Sequence, residues 1–129
     1  MSPPAGAAPL DDLACLPMVR SMAMMPLDPL WRRRQHRSWC CEFHYILNGT
    51  LSMVSAGGRR LTGTTSELLL IPSGNRHRDD YDLDEFPRVF MLFFSWKAEA
   101  SFWRLFPRAE RQGLRVPINR EITGIFDRI

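Results

Sequence analysis

The sequence has little cysteine and almost no lysine, and each shortage bears on a class of protein or site. Its 129 residues contain three cysteines, Cys15, Cys40 and Cys41, an odd number with no Cys-x-x-Cys spacing. Neither a disulfide framework nor a thiolate zinc site is indicated, and a reducing compartment fits best. Of the 17 basic residues only Lys97 is not arginine, and the formal net charge is +3. That balance is too slight to predict nucleic-acid binding by itself.

Long apolar runs are missing as well. Nowhere does the chain reach the roughly 18 consecutive apolar residues of a membrane-spanning helix. The opening MSPPAGAAPLDD lacks the basic and apolar regions of a signal peptide, so we predict a cytoplasmic protein without a membrane span. The chain also has no phosphate-binding loop, no Gly-rich nucleotide fingerprint and no Ser/His/Asp order. Nucleotide and nucleophilic chemistry therefore have no support.

The composition that remains is that of one globular domain. Hydrophobic residues make up 45% of the chain and charged residues 24%, which excludes global disorder. Residues 1–12 are rich in Pro, Ala and Gly, and we interpret them as a flexible lead-in. We assign residues 13–118 to the folded domain and residues 119–129 to the start of a linking helix.

Strand patterns dominate the folded domain. The stretch SWCCEFHYILNGTLSMVSAGGRRLTGTTSELLLIPSG indicates four β segments separated by Asn-Gly, Gly-Gly and loop signals. Residues 87–96, PRVFMLFFSW, indicate a further strand that is apolar on both faces and therefore central. CLPMVRSMAMM is a weaker strand candidate. Together these segments predict an antiparallel sandwich or barrel.

Helical spacing begins only after the last of these strands. AEASFWRLF predicts a short helix that Pro107 ends. In INREITGIFDRI, Asn119 is a candidate N-cap for a last, amphipathic helix. Its exposed apolar stripe predicts self-association, most simply as a homodimer; the stripe consists of Ile122, Ile125, Phe126 and Ile129.

Polar residues with chemical capability concentrate in two places. In ELLLIPSGNRHRDD a buried strand ends at Pro72, Gly74 permits a tight turn, and His77 starts the next strand. On the strand predicted over residues 38–47, alternate residues share a face. One face would carry Cys40, Glu42 and His44, with His36 and Ser38 before them; the other is aromatic. Considered by itself, the pattern would assign the aromatic face to the core and the His/Glu face to solvent. It does not settle which of the two faces points inward.

These residues carry a resemblance to known proteins. The hexapeptide from Pro72 to His77 resembles the second cupin motif, Pro-x-Gly-x-x-His, and Glu42, six residues before Asn48 of the Asn-Gly turn, matches the end of the first. The stretch from CCEFHY to RHRDD, followed by an aromatic strand ending in Phe-Ser-Trp, resembles the N-terminal effector-binding domain of AraC-type transcription regulators. The resemblance covers roughly residues 36–96.

The resemblance implies a mainly β, cupin-like antiparallel barrel or sandwich followed by C-terminal α-helices. It further implies a sensor for a small effector, a sugar or an organic acid, rather than an enzyme, and no cofactor is expected. DNA would be reached only through a helix-turn-helix module downstream, which is not in this chain. The residues expected to bind the effector are His36, Ser38, Glu42 and His77.

The departures from the cupin pattern keep a second hypothesis open. Metal-binding cupins present His-x-His before the Glu, whereas this sequence has His36 and Ser38, so one ligand is missing. Ser66 and Glu67 also replace the usual start of the second motif. We therefore predict no metal. The alternative is a small metal-dependent cupin enzyme, a dioxygenase or isomerase, with His36, Glu42 and His77 as ligands.

Each candidate also has a simpler structural explanation. His77 could be a turn histidine bonded to backbone carbonyls, and His44 a structural or solvent-facing residue. WRRRQHR and DDYDLDEF are typical of solvated loops, although the arginines could attract an anionic effector. Cys40 and Cys41 are adjacent, so we expect free buried thiols. The aromatic residues are assigned mainly to the core; they are Trp39, Phe43, Tyr45, Phe90, Phe94 and Trp96.

Overall fold

The computed structural model describes residues 16–26 and 34–117. The predicted lead-in over residues 1–12 and the predicted helix over residues 119–129 lie outside the described residues, as does the stripe expected to mediate self-association. No helix in the described part is long and apolar enough to cross a membrane.

The described residues form two antiparallel sheets. The strands are β1 (Met18–Pro26), β2 (His36–Arg37), β3 (Cys41–Asn48), β4 (Thr50–Ser55), β5 (Arg60–Thr64), β6 (Glu67–Ile71), β7 (Arg76–Asp80), β8 (Arg88–Ser95) and β9 (Leu114–Pro117). Sheet A has five strands in the order β1-β8-β3-β6-β9, and sheet B has four in the order β2-β7-β4-β5. The predicted mainly β antiparallel architecture is therefore confirmed.

The connections between the sheets follow the jelly-roll pattern. The chain crosses between sheets after β1, β2, β3, β5, β6 and β7, which places β8 between β1 and β3, as its two apolar faces predicted. The Asn-Gly turn between β3 and β4 requires its glycine. Gly49 has φ +98°, and a Cβ there would lie 3.1 Å from the Pro87 backbone.

The apolar core fills the space between the sheets. Its members alternate along their strands with residues of the outer faces, as half-buried strands require. Each fully buried aliphatic or aromatic side chain contributes about 1.5–3 kcal/mol to stability. The core consists of Ile46, Leu51, Met53, Leu69, Ile71, Tyr81, Val89 and Met91.

Two short helices follow β8. Helix α1 (Glu99–Arg104) ends before Pro107, as predicted, and α2 (Ala109–Gln112) follows it. Trp103 is the buried residue of α1, and the Phe102 ring packs against Trp96 with centroids 5.1 Å apart. The chain then re-enters sheet A as β9, a strand that the sequence pattern did not predict.

The long strand predicted over residues 38–47 is wrong at its beginning. β2 belongs to sheet B and β3 to sheet A, so residues 38–40 cross between the sheets. Two backbone hydrogen bonds explain the break, because Ser38 N donates to Asn75 O and Gly74 N donates to Ser38 O. The crossing also leaves Trp39 68% exposed instead of placing it in the core.

Candidate functional site

Five ionisable side chains meet between the two sheets, and we call them the interior polar cluster. They are His36, Glu42, His44, His77 and Asp79. Four of them are almost fully buried: His77 is 1% exposed, His44 2%, and the two carboxylates 5% each. Buried charges are rare unless they are paired or functional. The cluster is therefore the leading candidate for a site.

Strand alternation and register bring the cluster together. Glu42 and His44 are two residues apart on β3 and share its inner face, which settles the orientation that the sequence left open. On β7, His77 and Asp79 point inward in the same way. The β2–β7 pairing sets His36 opposite His77, and their rings meet edge to face with centroids 4.4 Å apart.

Glu42 is the central acceptor of the cluster. Its Oε2 lies 3.0 Å from His44 Nε2 and 3.4 Å from His77 Nε2. Burial alone would raise the pKa of Glu42, but the two imidazoles outweigh burial and hold that pKa far below its usual value. Glu42 is therefore a carboxylate, and the His44 ring nitrogen that faces it is a donor.

The other sheet contributes groups whose pKa values move upward. Burial by itself would lower the pKa of His77, yet Glu42 and the nearby Asp79 raise it. Burial raises the pKa of Asp79, whose Oδ1 is 3.9 Å from His77 Nε2. Perturbed titratable groups of this kind concentrate at functional sites.

Several buried atoms near the cluster lack a hydrogen-bond partner. They include Ser38 Oγ, His44 Nδ1, His77 Nε2 and Asp79 Oδ1. At 3.4 Å the contact of His77 Nε2 with Glu42 is an ion pair rather than a well-directed hydrogen bond. An unsatisfied buried polar group costs about 1–3 kcal/mol. These unsatisfied atoms therefore reduce the stability of the fold unless another polar species supplies their missing hydrogen bonds.

Sequence comparisons give no further help, because no protein-family model and no curated protein matches the chain. Solved structures do match. Apo ToxT K231A from Vibrio cholerae strain SCE256 superimposes with a TM-score of 0.57 at 13% identity, over 83% of this chain and 45% of that one. A 1.65 Å structure of Vibrio cholerae ToxT gives 0.52 at 10% identity, over 87% and 46%. The fold is the cupin-like one. The chain spans less than half the length of these ToxT structures.

The expectation of a cupin-like fold is thus confirmed. Of the residues predicted for the site of this cupin-like domain, three converge. One ligand atom each from His36, Glu42 and His77 lies within 4.8 Å of the other two. Ser38 is buried beside the turn at residues 74–75 but adds only a hydroxyl.

The three converging residues of the cupin-like fold have the chemistry of a metal site. Two imidazoles and one carboxylate are the facial ligand set of non-haem iron, and they also suit zinc. Ligand atoms around such an ion lie about 3–4.3 Å apart when each is about 2.1 Å from it. Glu42 Oε2 and His77 Nε2, 3.4 Å apart, already fall in this range, and all three ligand atoms lie within 4.8 Å of one another, so the set fits an ion with small side-chain movements.

Two members of the cluster were missed or misjudged from the sequence. Asp79 was assigned to a solvated loop, but it faces the interior, and Tyr81, two residues further along the chain, is buried as well. Alternation from His77 along the strand was the signal that pointed to Asp79. His44, for which the sequence favoured a structural or solvent-facing role, faces the interior as well and lies 3.0 Å from Glu42 Oε2.

A set of hydrogen bonds from Ser73 and Trp103 to Glu99, which we call the clasp, lies outside the two sheets and fixes the turn that leads to His77. Ser73 donates from both its backbone N–H and its hydroxyl to the Glu99 carboxylate, and Trp103 Nε1 donates to the same group at 2.9 Å. These bonds outweigh the effect of burial and lower the pKa of Glu99. The turn at residues 72–75 is thereby tied to α1.

Proposed function

We propose that this chain is the effector-binding sensor domain of an AraC-type transcription regulator. The cupin-like fold supports the assignment, since structures of ToxT, an AraC-family regulator, share that fold. The observation that carries the proposal is the set of unsatisfied buried atoms inside the barrel. A small polar effector would complete those hydrogen bonds.

The cluster suits either effector class expected from the sequence. A charged His77 would attract the carboxylate of an organic acid. The Asp79 carboxyl and His44 Nδ1 would instead accept hydrogen bonds from the hydroxyls of a sugar. Because the binding atoms are closed off from solvent, the two sheets must separate slightly to admit either ligand.

Binding would act by linkage between two conformations of the domain. An effector shifts such an equilibrium only by as much as it prefers one state. His77 lies two residues after the turn at residues 72–75, which the Ser73–Glu99 hydrogen bonds tie to α1. Movement of His77 would therefore be passed to the helices after β8, and from there to a dimer partner or a downstream DNA-binding module in the cytoplasm.

Binding of sugars and organic acids to the 129-residue chain, measured by calorimetry, tests the proposal. We expect one member of either class to bind with unit stoichiometry. Asp79→Asn, which keeps the shape of the side chain, should weaken binding at least tenfold. The matched control Asp84→Asn, on the exposed loop, should leave it unchanged. Equal affinity of both variants would remove the interior cluster as the effector site.

A metal-dependent cupin enzyme is the second candidate. The convergence of His36, Glu42 and His77 favours it. A bound transition metal would supply Lewis-acid or redox chemistry, while these three residues would hold it. In this case the domain would be an enzyme rather than a sensor.

Elemental analysis of carefully purified protein separates the two candidates. A stoichiometric transition metal that is lost in His77→Ala and kept in Asp84→Asn supports the enzyme. Protein that takes up no iron or zinc, even after incubation with either ion, supports the sensor.

A further inference from the structure

The outer surface of sheet B gathers arginines that are far apart in the sequence. Arg37 and Arg76 are register partners on β2 and β7, and because His36 and His77 point inward, both arginines point outward. Arg59 extends from the hairpin between β4 and β5. All three are exposed. We call them the arginine patch.

A cleft joins two members of the patch. It has a volume of about 310 Å³ and lies between the hairpin and the start of β7. Two hydrogen bonds hold its walls, because Ala56 N donates to Arg76 O at 3.1 Å and Arg59 N donates to Ser55 Oγ at 3.1 Å. These bonds fix the backbone positions from which the Arg59 and Arg76 side chains extend. The cleft is lined by Ser55, Ala56, Gly57, Arg59, Asn75 and Arg76.

The positive charge of the arginine patch is not balanced by ion pairs among the described residues. Within residues 16–26 and 34–117, no acidic side chain forms an ion pair with Arg37, Arg59 or Arg76. Neighbouring arginines differ in this respect, since Arg60 and Arg78 share Asp80 at 2.7 and 3.8 Å. The free positive charge on this face is therefore concentrated in the patch.

We propose that the arginine patch binds the phosphate backbone of duplex DNA. The planar guanidinium fork matches phosphate oxygens, and an exposed Arg-rich surface suits a polyanion. None of the described elements presents a recognition helix to a groove, so the contacts position the domain and read no sequence. The inference rests on the proposed regulatory function, which would bring the patch close to DNA. It extends that function, because the sensor domain itself then adds affinity beside a downstream reader.

Other anions could in principle occupy the patch. Asp82, Asp84 and Glu85 of a second copy offer one alternative, but Asp82 already accepts a hydrogen bond from Asp84 N in its own loop. A free phosphorylated metabolite is another. Arg59 and Arg76 line the cleft, but Arg37 lies outside its lining, so the charge extends beyond a small-anion pocket and favours the extended backbone of DNA.

The test is fluorescence anisotropy of the 129-residue chain with two unrelated 20-base-pair duplexes, titrated from about 50 to 200 mM salt. Three phosphate contacts predict a slope of log K against log salt of about −2.7, which is a loss of roughly 40-fold over that range. Both duplexes should bind equally. Each single Arg→Gln change in the patch should reduce the magnitude of the slope by about 0.9.

The decisive comparison is between two triple variants that remove the same charge. Arg37→Gln with Arg59→Gln and Arg76→Gln should weaken binding at about 50 mM salt at least tenfold. The control combines Arg88→Gln, Arg104→Gln and Arg108→Gln, which are exposed residues away from the patch, and should stay within about threefold of wild type. All six are exposed, so folding, checked by circular dichroism, should be retained.

Several outcomes would overturn the inference. One is no binding to either duplex at about 50 mM salt. Another is that both triple variants lose the same affinity for the duplexes. Complete displacement of the duplex by inorganic phosphate, at a concentration equal to that of the duplex phosphate groups, would identify a small-anion site. Sedimentation showing a salt-sensitive dimer that only the patch variant loses would identify a second copy as the partner. Each of these leaves effector binding in the barrel intact, so the proposed function is tested separately.

Discussion

Glu42 Oε2 in sheet A and His77 Nε2 in sheet B are 3.4 Å apart, with both side chains almost fully buried. The contact joins the two sheets through charge at a place where apolar packing would ordinarily do so. Desolvation of two buried charges can exceed their attraction, so such a pair is weak evidence for stability. The pair is therefore consistent with the proposed binding site, in which a ligand would use both groups.

Removal of the central carboxylate should strongly destabilise the domain. In Glu42→Ala the buried imidazoles of His44 and His77 lose their shared partner, and we expect the free energy of unfolding to fall by about 3 kcal/mol. Urea unfolding followed by tryptophan fluorescence measures this change. The control Glu85→Ala, on an exposed loop, should change it by less than about 0.5 kcal/mol. Similar values for the two variants would show that Glu42 has no structural partner.

The core behind β5 should not tolerate a single added methyl group. A Cβ on Gly63 would lie 2.8 Å from Ile46 Cδ1 and 2.9 Å from Leu69 Cδ2. Gly63→Ala should therefore cost about 1–3 kcal/mol through overpacking. Gly57→Ala is the matched control, since the nearest atom to its Cβ is 3.9 Å away. Thermal unfolding of both proteins checks the difference, and a Gly63→Ala protein as stable as the control contradicts the packing described.

The clasp between Ser73 and Glu99 predicts a dependence of stability on pH. The pKa of Glu99 in the folded protein is below its ordinary value of 4.5, so its contribution is fully present above that value. It is lost as the pH falls through the folded pKa. The difference in the free energy of unfolding between wild type and Glu99→Gln should therefore shrink as the pH is lowered from about 7 to 3. A constant gap across that range, measured by urea unfolding, would contradict the clasp.

The two adjacent thiols should resist alkylation in the native protein. Burial raises the pKa of Cys41 to about 12, with further contributions from Glu99, and burial also raises the pKa of Cys40. Thiolate is the reactive form, so both should be inert to iodoacetamide at neutral pH. Mass spectrometry of Cys15→Ser, which removes the third thiol, should find no modification until the protein is unfolded. Rapid native labelling of Cys41 would show that the site opens.

Much of the fold could be predicted because local patterns dictated it. Alternating apolar residues specified the strands, the two apolar faces of β8 specified its central position, and Pro107 ended the region of α1. β9 escaped prediction because four residues with one short alternation carry too little signal. The exposure of Trp39 could not be predicted either, because it follows from the crossing of residues 38–40 between sheets.

The candidate site was predictable in its members more than in its geometry. The cupin-like motifs pointed to His36, Glu42 and His77, which converge. Asp79 was missed because its acidic surroundings in the sequence resemble a solvated loop. Only the position of β7 in the sheet turns this carboxylate inward.

The sequence by itself determined the strand-rich architecture, the turns and the residue types available for a site, because these depend on interactions within a few residues. The tertiary structure decided which face of β3 is buried, that His36 reaches the site from the opposite sheet, and that Arg37, Arg59 and Arg76 share one surface. These are consequences of strand pairing between distant segments. Register and sheet order, which no short window of sequence contains, set them.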